Sequence, residues 1–285
     1  MKHLIRFDWA VMRLLRNKGN FGILEGFLSE LLLDDIKIDH ILESESNQKT
    51  GDSKYNKVDL LVQNSKGELI TIEIQSSRVQ DYLMRILFGT SKLIVDNIDT
   101  RMGYDKIKKI ISVNIVYFDL GQGEDYIYHG STNFVGIHKH DTLKLNGQQK
   151  NFYNSDSIYK IYPEYYILKV NQFNEVATSP IDEWIYFLKN EVIKHESKAR
   201  GLKQAKEQLD ILKLSESELQ EYENYISMWR YEESLTVSNF KMGKIEGIKE
   251  QQVTTALKCL ENGISIEITA EISGLTVDEV VQLQG

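Results

Sequence analysis

The sequence predicts an α/β protein: a central mixed sheet with helices on both faces, followed by a helical C-terminal region. Three features carry that reading. Residues 57–75 hold two alternating apolar and polar runs joined by a short glycine-containing turn, the pattern of a β-hairpin. Helical segments precede and follow the hairpin, and the continuous apolar run Ile110–Phe118 closes the series as a buried strand. From Pro180 onward, strand patterns give way to helical spacing.

Taken in order, residues 5–17 and 21–34 have helical spacing, and Leu24, Phe27, Leu28, Leu31 and Leu32 form an apolar stripe. Ile36–Leu42 alternates and reads as a first strand, and the polar stretch Asn47–Asn56 as a loop. In the hairpin, Val58, Leu60 and Val62 alternate with Asp59, Leu61 and Gln63, while Ile70, Ile72 and Ile74 alternate with Thr71, Glu73 and Gln75. Asp81–Asp96 is predicted helical, with Leu83, Leu87, Leu93 and Ile94 inward and Arg85 toward the hairpin. The tyrosine-rich region 119–180 suggests strands at Tyr126–His129, Asn133–His138 and Tyr165–Val170. Gly121-Gln122-Gly123 reads as a turn, because a phosphate loop needs a following helix and lysine. His138 and His140 have the spacing of one strand face, which suits a metal, but two ordinary polar strand residues explain them better with no third ligand in view.

After Pro180, Trp184, Ile185, Phe187, Leu188 and Val192 mark a helix, and Glu/Lys-rich helices extend from Ser197 to about Phe240, with a capping signal at Ser215–Glu218. Gly243 and Gly247 read as a hinge into three short helices around Asn262-Gly263 and Gly274. The turn at Gly274 is that of a helix-turn-helix. The last helix carries Asp278 and Glu279 and no basic residue, which favours protein contact or a homo-oligomer tail over DNA. The expected divisions are 1–180, an α/β domain with a β-rich extension; 181–242, a helical extension; and 243–285, a small helical module.

Length and composition set limits. A chain of 285 residues is long enough for a sizeable core plus an appendage. The net charge of −8 is unhelpful for a nucleic-acid binder, although a local basic surface would suffice. Candidates are Arg101, Lys106, Lys108 and Lys109, and the run Lys194, Lys198, Arg200, Lys203 and Lys206; solvated surface is the commoner meaning of such runs. The single cysteine, Cys259, excludes an intramolecular disulfide and favours a reducing cytoplasm. No apolar run approaches the ~18 residues of a membrane span, so no membrane association is expected. Arg6, Asp8 and Arg13 interrupt the N-terminus, which is not a signal peptide.

The chemistry lies in the hairpin. An acid inside each apolar strand is costly to bury without compensation. A three-residue loop, Ser65–Gly67, with Gly67 left-handed would pair Asn64 with Glu68 and therefore Asp59 with Glu73. Directly opposite residues have Cβ atoms about 4.5–5.5 Å apart, close enough for two carboxylates to repel unless a cation lies between them. A hard divalent cation suits oxygen ligands, Mg²⁺ being the usual one, with Mn²⁺ or Ca²⁺ as alternatives. A two-residue loop would put the acids on opposite faces. An acid and a glutamine on a solvated hairpin face are the plain alternative.

The acid, hairpin and acid-x-polar triplet resemble the core of the PD-(D/E)XK nucleases. More narrowly, Phe7-Asp8-Trp9-Ala10, Leu14–Lys18, Ile23–Leu32, Leu42–Ser46, Val58–Val62, Ile72–Gln75, Arg85–Lys92 and Ile111–Phe118 resemble, in that order, the Rpn family of recombination-promoting nucleases and putative transposases. The resemblance covers most of residues 1 to about 240. It implies a restriction-endonuclease-like core and metal-dependent hydrolysis of DNA phosphodiester bonds by an endonuclease tied to recombination or mobile elements. Asp59 and Glu73 would then ligate the ion, with the Ile74 carbonyl as a third ligand and Glu25 as a further acid; Glu30 is its rival, and Glu43 and Glu45 rank second. Gln75 stands where the superfamily usually has lysine, and Val58 where it has proline. Lysine would stabilise developing charge as a cation, whereas glutamine offers only a neutral hydrogen bond. Either the metal does more, or a cation such as Lys57, Arg78 or Arg85 contributes. The alternative is a catalytically weak or inactive relative that binds DNA or a protein through the same fold.

Overall fold

The computed structural model describes residues 6, 9, 21–42, 57–76, 78–98, 103–194, 196–209 and 214–283, with the backbone alone at 57–59 and 232. The expected helix at 5–17, save for its residues 6 and 9, the loop at 47–56 and the acids Glu43 and Glu45 lie outside these residues. Two compact units follow each other along the chain, Met1–Trp229 and Arg230–Gly285.

The first unit is built on a six-stranded sheet of order β1-β2-β3-β4-β6-β5. Its strands are β1 (Ile38–Leu42), β2 (Lys57–Asn64), β3 (Leu69–Gln75), β4 (Ile110–Val116), β5 (Ile127–Gly130) and β6 (Glu164–Lys169). β1, β2 and β3 are antiparallel; β4 lies parallel to β3 and β6 parallel to β4; β5 closes the edge antiparallel to β6. The sheet is thus mixed, as the sequence predicts. The helix α1 (Gly22–Leu32) precedes it, and α2 (Tyr82–Asp96) connects β3 to its parallel neighbour β4. A parallel pair requires such a crossover.

Period two divides the strands cleanly. Leu60 and Val62, Ile70, Ile72 and Ile74, and Ile111, Val113 and Ile115 face one way into the main core. There they meet Phe27 and Leu28 of α1, Trp184 and Phe187 of α4 (Pro180–Asn190), and Leu202 and Ala205 of α5 (Leu202–Gln208); a short helix, α3 (Gly147–Tyr153), precedes β6. The approach of α1 to the start of α5 is close. A Cβ on Gly26 would lie 2.5 Å from the Arg200 carbonyl oxygen, and Gly201 sits at φ +78°. Trp184 locks the same corner by donating its indole N–H to that carbonyl at 3.1 Å. On the opposite face α2 inserts Tyr82 and Ile86 against Val116 and Phe118. Leu93 and Ile94 pack on Leu61, Leu69 and Ile110.

α2 departs from the sequence reading in one respect. Leu93 and Ile94 point inward as expected, but Leu83 and Leu87 face solvent, and Tyr82, Ile86 and Thr90 take the inner face. The helix has apolar residues on both sides, so periodicity alone could not choose between them. Beyond the sheet, Asn133–His138 does not form a strand; it makes one isolated bridge, Val135 to Thr142, and then a turn. His140 takes a left-handed conformation at φ 55°, so the two histidines do not share a strand face.

The second unit begins inside α6 (Glu216–Glu261), a continuous helix that holds Gly243 and Gly247 where the sequence suggested a hinge. The end of α6, α7 (Ile266–Ser273) and α8 (Val277–Gln282) bury Ala256, Ala270, Leu275 and Val280 together. Thr276 caps α8 reciprocally with Glu279, and Lys249 reaches the same Glu279.

Candidate active site

The hairpin between β2 and β3 fixes the site, and its turn fixes the hairpin. Gly67 has φ +80°, a left-handed conformation that glycine adopts without a Cβ penalty. Its N–H donates to the Asn64 carbonyl at 2.9 Å, and the Asn64 N–H donates to the Glu68 carbonyl at 3.0 Å. The Asn64 side chain completes the turn: its Oδ1 accepts from the backbone N–H groups of Lys66 (3.1 Å) and Glu68 (2.9 Å), and its Nδ2 donates to Glu68 Oε2. This is the three-residue loop the sequence predicts. Its register places Asp59 directly opposite Glu73, and Lys57 opposite Gln75.

Because Ile72 and Ile74 face the main core, Glu73 and Gln75 face the other way, beneath α2. Both are buried, and the Oε1 atom of each is shut off from solvent. The Ile74 side chain belongs to the core, which leaves only its carbonyl for any ligand. The next strand adds Asn114, level with Glu73 in the parallel pairing of β3 and β4. Asn114 is 1% exposed and donates through Nδ2 to the carbonyls of Ser112 (3.2 Å) and Tyr166 (3.2 Å) and to Ser112 Oγ (3.0 Å). The Tyr82 hydroxyl, in the first turn of α2, donates to Asn114 Oδ1 at 3.5 Å. One row of the sheet therefore reads Asp59, Glu73, Asn114, and the start of α2 is hydrogen-bonded to its third member. Sequence reasoning missed Asn114. The signal was there, a lone amide in the apolar run Ile110–Phe118, where a buried polar group must find partners.

Glu25 is not brought to this row. Its Oε1 accepts from the Ile38 N–H at 2.9 Å, and Lys37 Nζ is 3.4 Å from its Oε2. Ile38 pairs with Asn64, five residues along β2 from Asp59, which is about 17 Å at 3.3–3.4 Å per residue. Glu25 instead ties α1 to the first residue of β1. Its rival Glu30 accepts the Arg200 N–H at 2.9 Å, at the crossing of α1 and α5.

Five members of the basic runs are engaged within the chain. Lys106 pairs with Asp105, Lys108 donates to Gln63, and Arg200 pairs with Asp35. Lys194 sits over the Tyr186 ring. Lys109 donates to the Tyr159 and Tyr162 carbonyls and pairs with Glu164 at 2.7 Å. Burial holds the Lys109 ammonium below its ordinary pKa, against the opposing pull of Glu164. Arg85 is half-buried on α2, and Arg78 is exposed before it.

Among the described residues no three His, Cys, Asp or Glu side chains come together as a metal cage; the Asp59 side chain lies outside that description. The backbone register and the buried Glu73 carboxylate nevertheless fit a hard divalent cation. They set two acidic positions side by side with one acid withdrawn from water. A mixed sheet flanked by helices, with an acid on one hairpin strand and an acid-x-glutamine triplet opposite, defines a PD-(D/E)XK nuclease core. The family model described as PD-(D/E)XK nuclease family transposase matches residues 5–235, and the chain belongs to that family. No curated protein and no solved structure matches the chain. Membership supports a nuclease-like, hydrolytic function, and nucleases of this type generally use divalent metals. No helix among the described residues is long and apolar enough to cross a membrane.

Proposed function

We propose that this protein is a Mg²⁺-dependent DNA endonuclease of the Rpn type, acting in the cytoplasm on phosphodiester bonds in recombination or mobile-element traffic. The observation that carries the reading is the pairing of Asp59 with Glu73 at one level of the sheet, with Glu73 buried. Asp59, Glu73 and the Ile74 carbonyl are the groups assigned to hold the ion. When bound, a divalent cation supplies a Lewis acid that acidifies water and offsets charge on the phosphoryl group. Glu73 holds its carboxylate in a site shielded from solvent, where electrostatic interactions are strengthened. Gln75, two residues on and on the same face, offers an amide to orient a water or a phosphate oxygen, without the positive charge of lysine. Asn114 and Tyr82 keep the Glu73 row and the start of α2 in fixed relation. Glu25, engaged at Ile38, is assigned no ligand role.

The test is cleavage of supercoiled plasmid by the full chain with Mg²⁺, Mn²⁺, Ca²⁺ or EDTA, beside Asp59→Ala and Gln75→Ala. Metal-dependent cutting that disappears in Asp59→Ala supports the nuclease. A second reading, a catalytically weak DNA- or protein-binding module, is favoured by the neutral Gln75 and the net charge of −8. It takes over if wild type and Asp59→Ala are alike inactive with every metal.

A further inference from the structure

We propose that the long excursion between β5 and β6, residues 131–163, and the cavity it walls bind single-stranded nucleic acid. β5 and β6 are antiparallel neighbours, with Gly130 paired to Tyr165. A turn of about two to five residues suffices to join such a pair. A connection beyond about 12–15 residues is uncommon and usually functional. The return arm of this one is fixed in place. Lys109, just ahead of β4, donates to the Tyr159 and Tyr162 carbonyls, and Phe134 on the outgoing arm meets the Tyr162 ring at 5.4 Å. Between the excursion, the residues leading into β4 and the β2–β3 turn lies a cavity of about 1040 Å³, at the upper end of the range for ligand pockets.

The cavity is lined by aromatic rings that remain open to water: Tyr104 (88% exposed), Phe152 (67%), Tyr153 (45%) and Tyr162 (39%). Unpaired bases stack on such rings with little regard to sequence. Of the lysines that line it, Lys66, Lys106, Lys109 and Lys160 are each held by an acid, namely Asp34, Asp105, Glu164 and Asp156 in turn. Lys108 instead meets the neutral Gln63 carboxamide oxygen at 2.8 Å. The excursion adds Lys139, Lys144 and Lys150, which are exposed and make no ion pair among the described residues. Against these four cations stand two acids that no cation holds: Glu68, which accepts the Asn64 amide, and Asp141, which closes on Gly136. The balance of four against two is positive, in a chain of net charge −8. Rings for bases beside cations for phosphates suit a single strand. A duplex would keep its bases stacked and away from the rings, and a bilayer would have to reach rings that line a concavity. Glu73 lies five residues along β3 from Glu68, about 17 Å. The cavity is therefore separate from the hairpin site, and strand binding there does not depend on the nuclease reading.

The test is fluorescence anisotropy of a labelled thymidine oligonucleotide of about 12 nucleotides, titrated with the full chain in EDTA so that cleavage plays no part in the readout. Wild type is expected to bind, with log K falling against log salt at a slope of about −3 for four phosphate contacts. Lys139→Ala/Lys144→Ala/Lys150→Ala should flatten that slope by about 2. Tyr104→Ala/Phe152→Ala should weaken binding roughly tenfold or more and leave the slope unchanged. Far-UV circular dichroism should not change in either variant, since all five side chains already face water. A duplex of the same length, thymidine monophosphate and phosphatidylglycerol vesicles serve as competitors, each expected to be at least roughly tenfold weaker than the unlabelled strand. A duplex, vesicle or monophosphate that competes as well as the strand overturns the assignment. So does strand binding untouched by both variants, or no strand binding at roughly 50 mM salt.

Discussion

Replacing Glu73 with glutamine removes one of two facing acids while keeping the shape of the side chain. At a separation of about 5 Å and an effective dielectric constant near 20, two carboxylates repel by about 3 kcal/mol. In EDTA the relieved repulsion is therefore expected to make the Glu73→Gln variant more stable than wild type, by at most about 1–3 kcal/mol once solvent, side chains and the other partners of Glu73 readjust. That corresponds to roughly 3–10 °C in melting temperature for a domain of this size. Adding Mg²⁺ or Mn²⁺ should reverse the order. A ligand at a hundred times its dissociation constant adds about 2.7 kcal/mol to a protein that binds it only when folded. Wild type should climb with metal while the variant stays level, so the two melting curves cross during a titration followed by differential scanning fluorimetry. A variant that melts below wild type in EDTA would show that the Glu73 charge is already compensated. A variant that keeps the metal-induced rise would show that Glu73 does not hold the ion.

Further outcomes follow from the same contacts. Gly67→Ala, at φ +80°, should cost about 1–2 kcal/mol, measured by urea unfolding, while Lys66→Ala beside it should cost under about 1 kcal/mol; equal effects would contradict the role given to the turn. Asn114→Ala should lose about 1–3 kcal/mol because it strands buried partners. Tyr82→Phe should lose less, its bond to Asn114 being long at 3.5 Å; a larger loss from Tyr82→Phe would refute that ranking. Asp182 is pushed up by burial, but bonds from Tyr126, Thr178 and Ser179 outweigh this and hold its pKa below the ordinary value. A carboxylate depressed on folding stabilises above its unfolded pKa, and that contribution is lost as pH falls through the folded value. Asp182→Asn should therefore lower the melting temperature more near pH 7 than near pH 3; an equal loss at both would exclude the linkage.

What the sequence made legible was whatever local chemistry decides. The hairpin register followed from Gly67 and Asn64 within the turn itself, and it placed Asp59 against Glu73 before any tertiary contact was known. Glu25 could not be placed this way. Its partner is the Ile38 N–H, thirteen residues on, and only the packing of α1 on the sheet shows that the acid serves the start of β1. α2 defeated periodicity because both of its sides are apolar, so Leu83 and Leu87 were assigned to a core already filled by Tyr82 and Ile86. The continuity of α6 through Gly243 and Gly247 shows the limit of reading glycine as a break, since each costs a helix only about 1 kcal/mol.

Gln75 bears on how such a site would work. It is 2% exposed, on the same face as Glu73 and opposite Lys57 in the register. A lysine there would place a cation near the two acids and offset part of their charge. With glutamine, that compensation is absent from the triplet, and the paired acids depend more on a bound ion. The glutamine form should therefore hold a divalent cation more tightly, because no positive charge at position 75 competes for the acids. It should also stabilise developing phosphoryl charge less, because a neutral amide donates a weaker hydrogen bond than an ammonium group. Gln75→Lys reads both effects: the midpoint of the metal titration should move to higher concentration, and any plasmid cleavage at saturating metal should quicken. A midpoint that does not move would place the position 75 side chain outside the electrostatic reach of the pair.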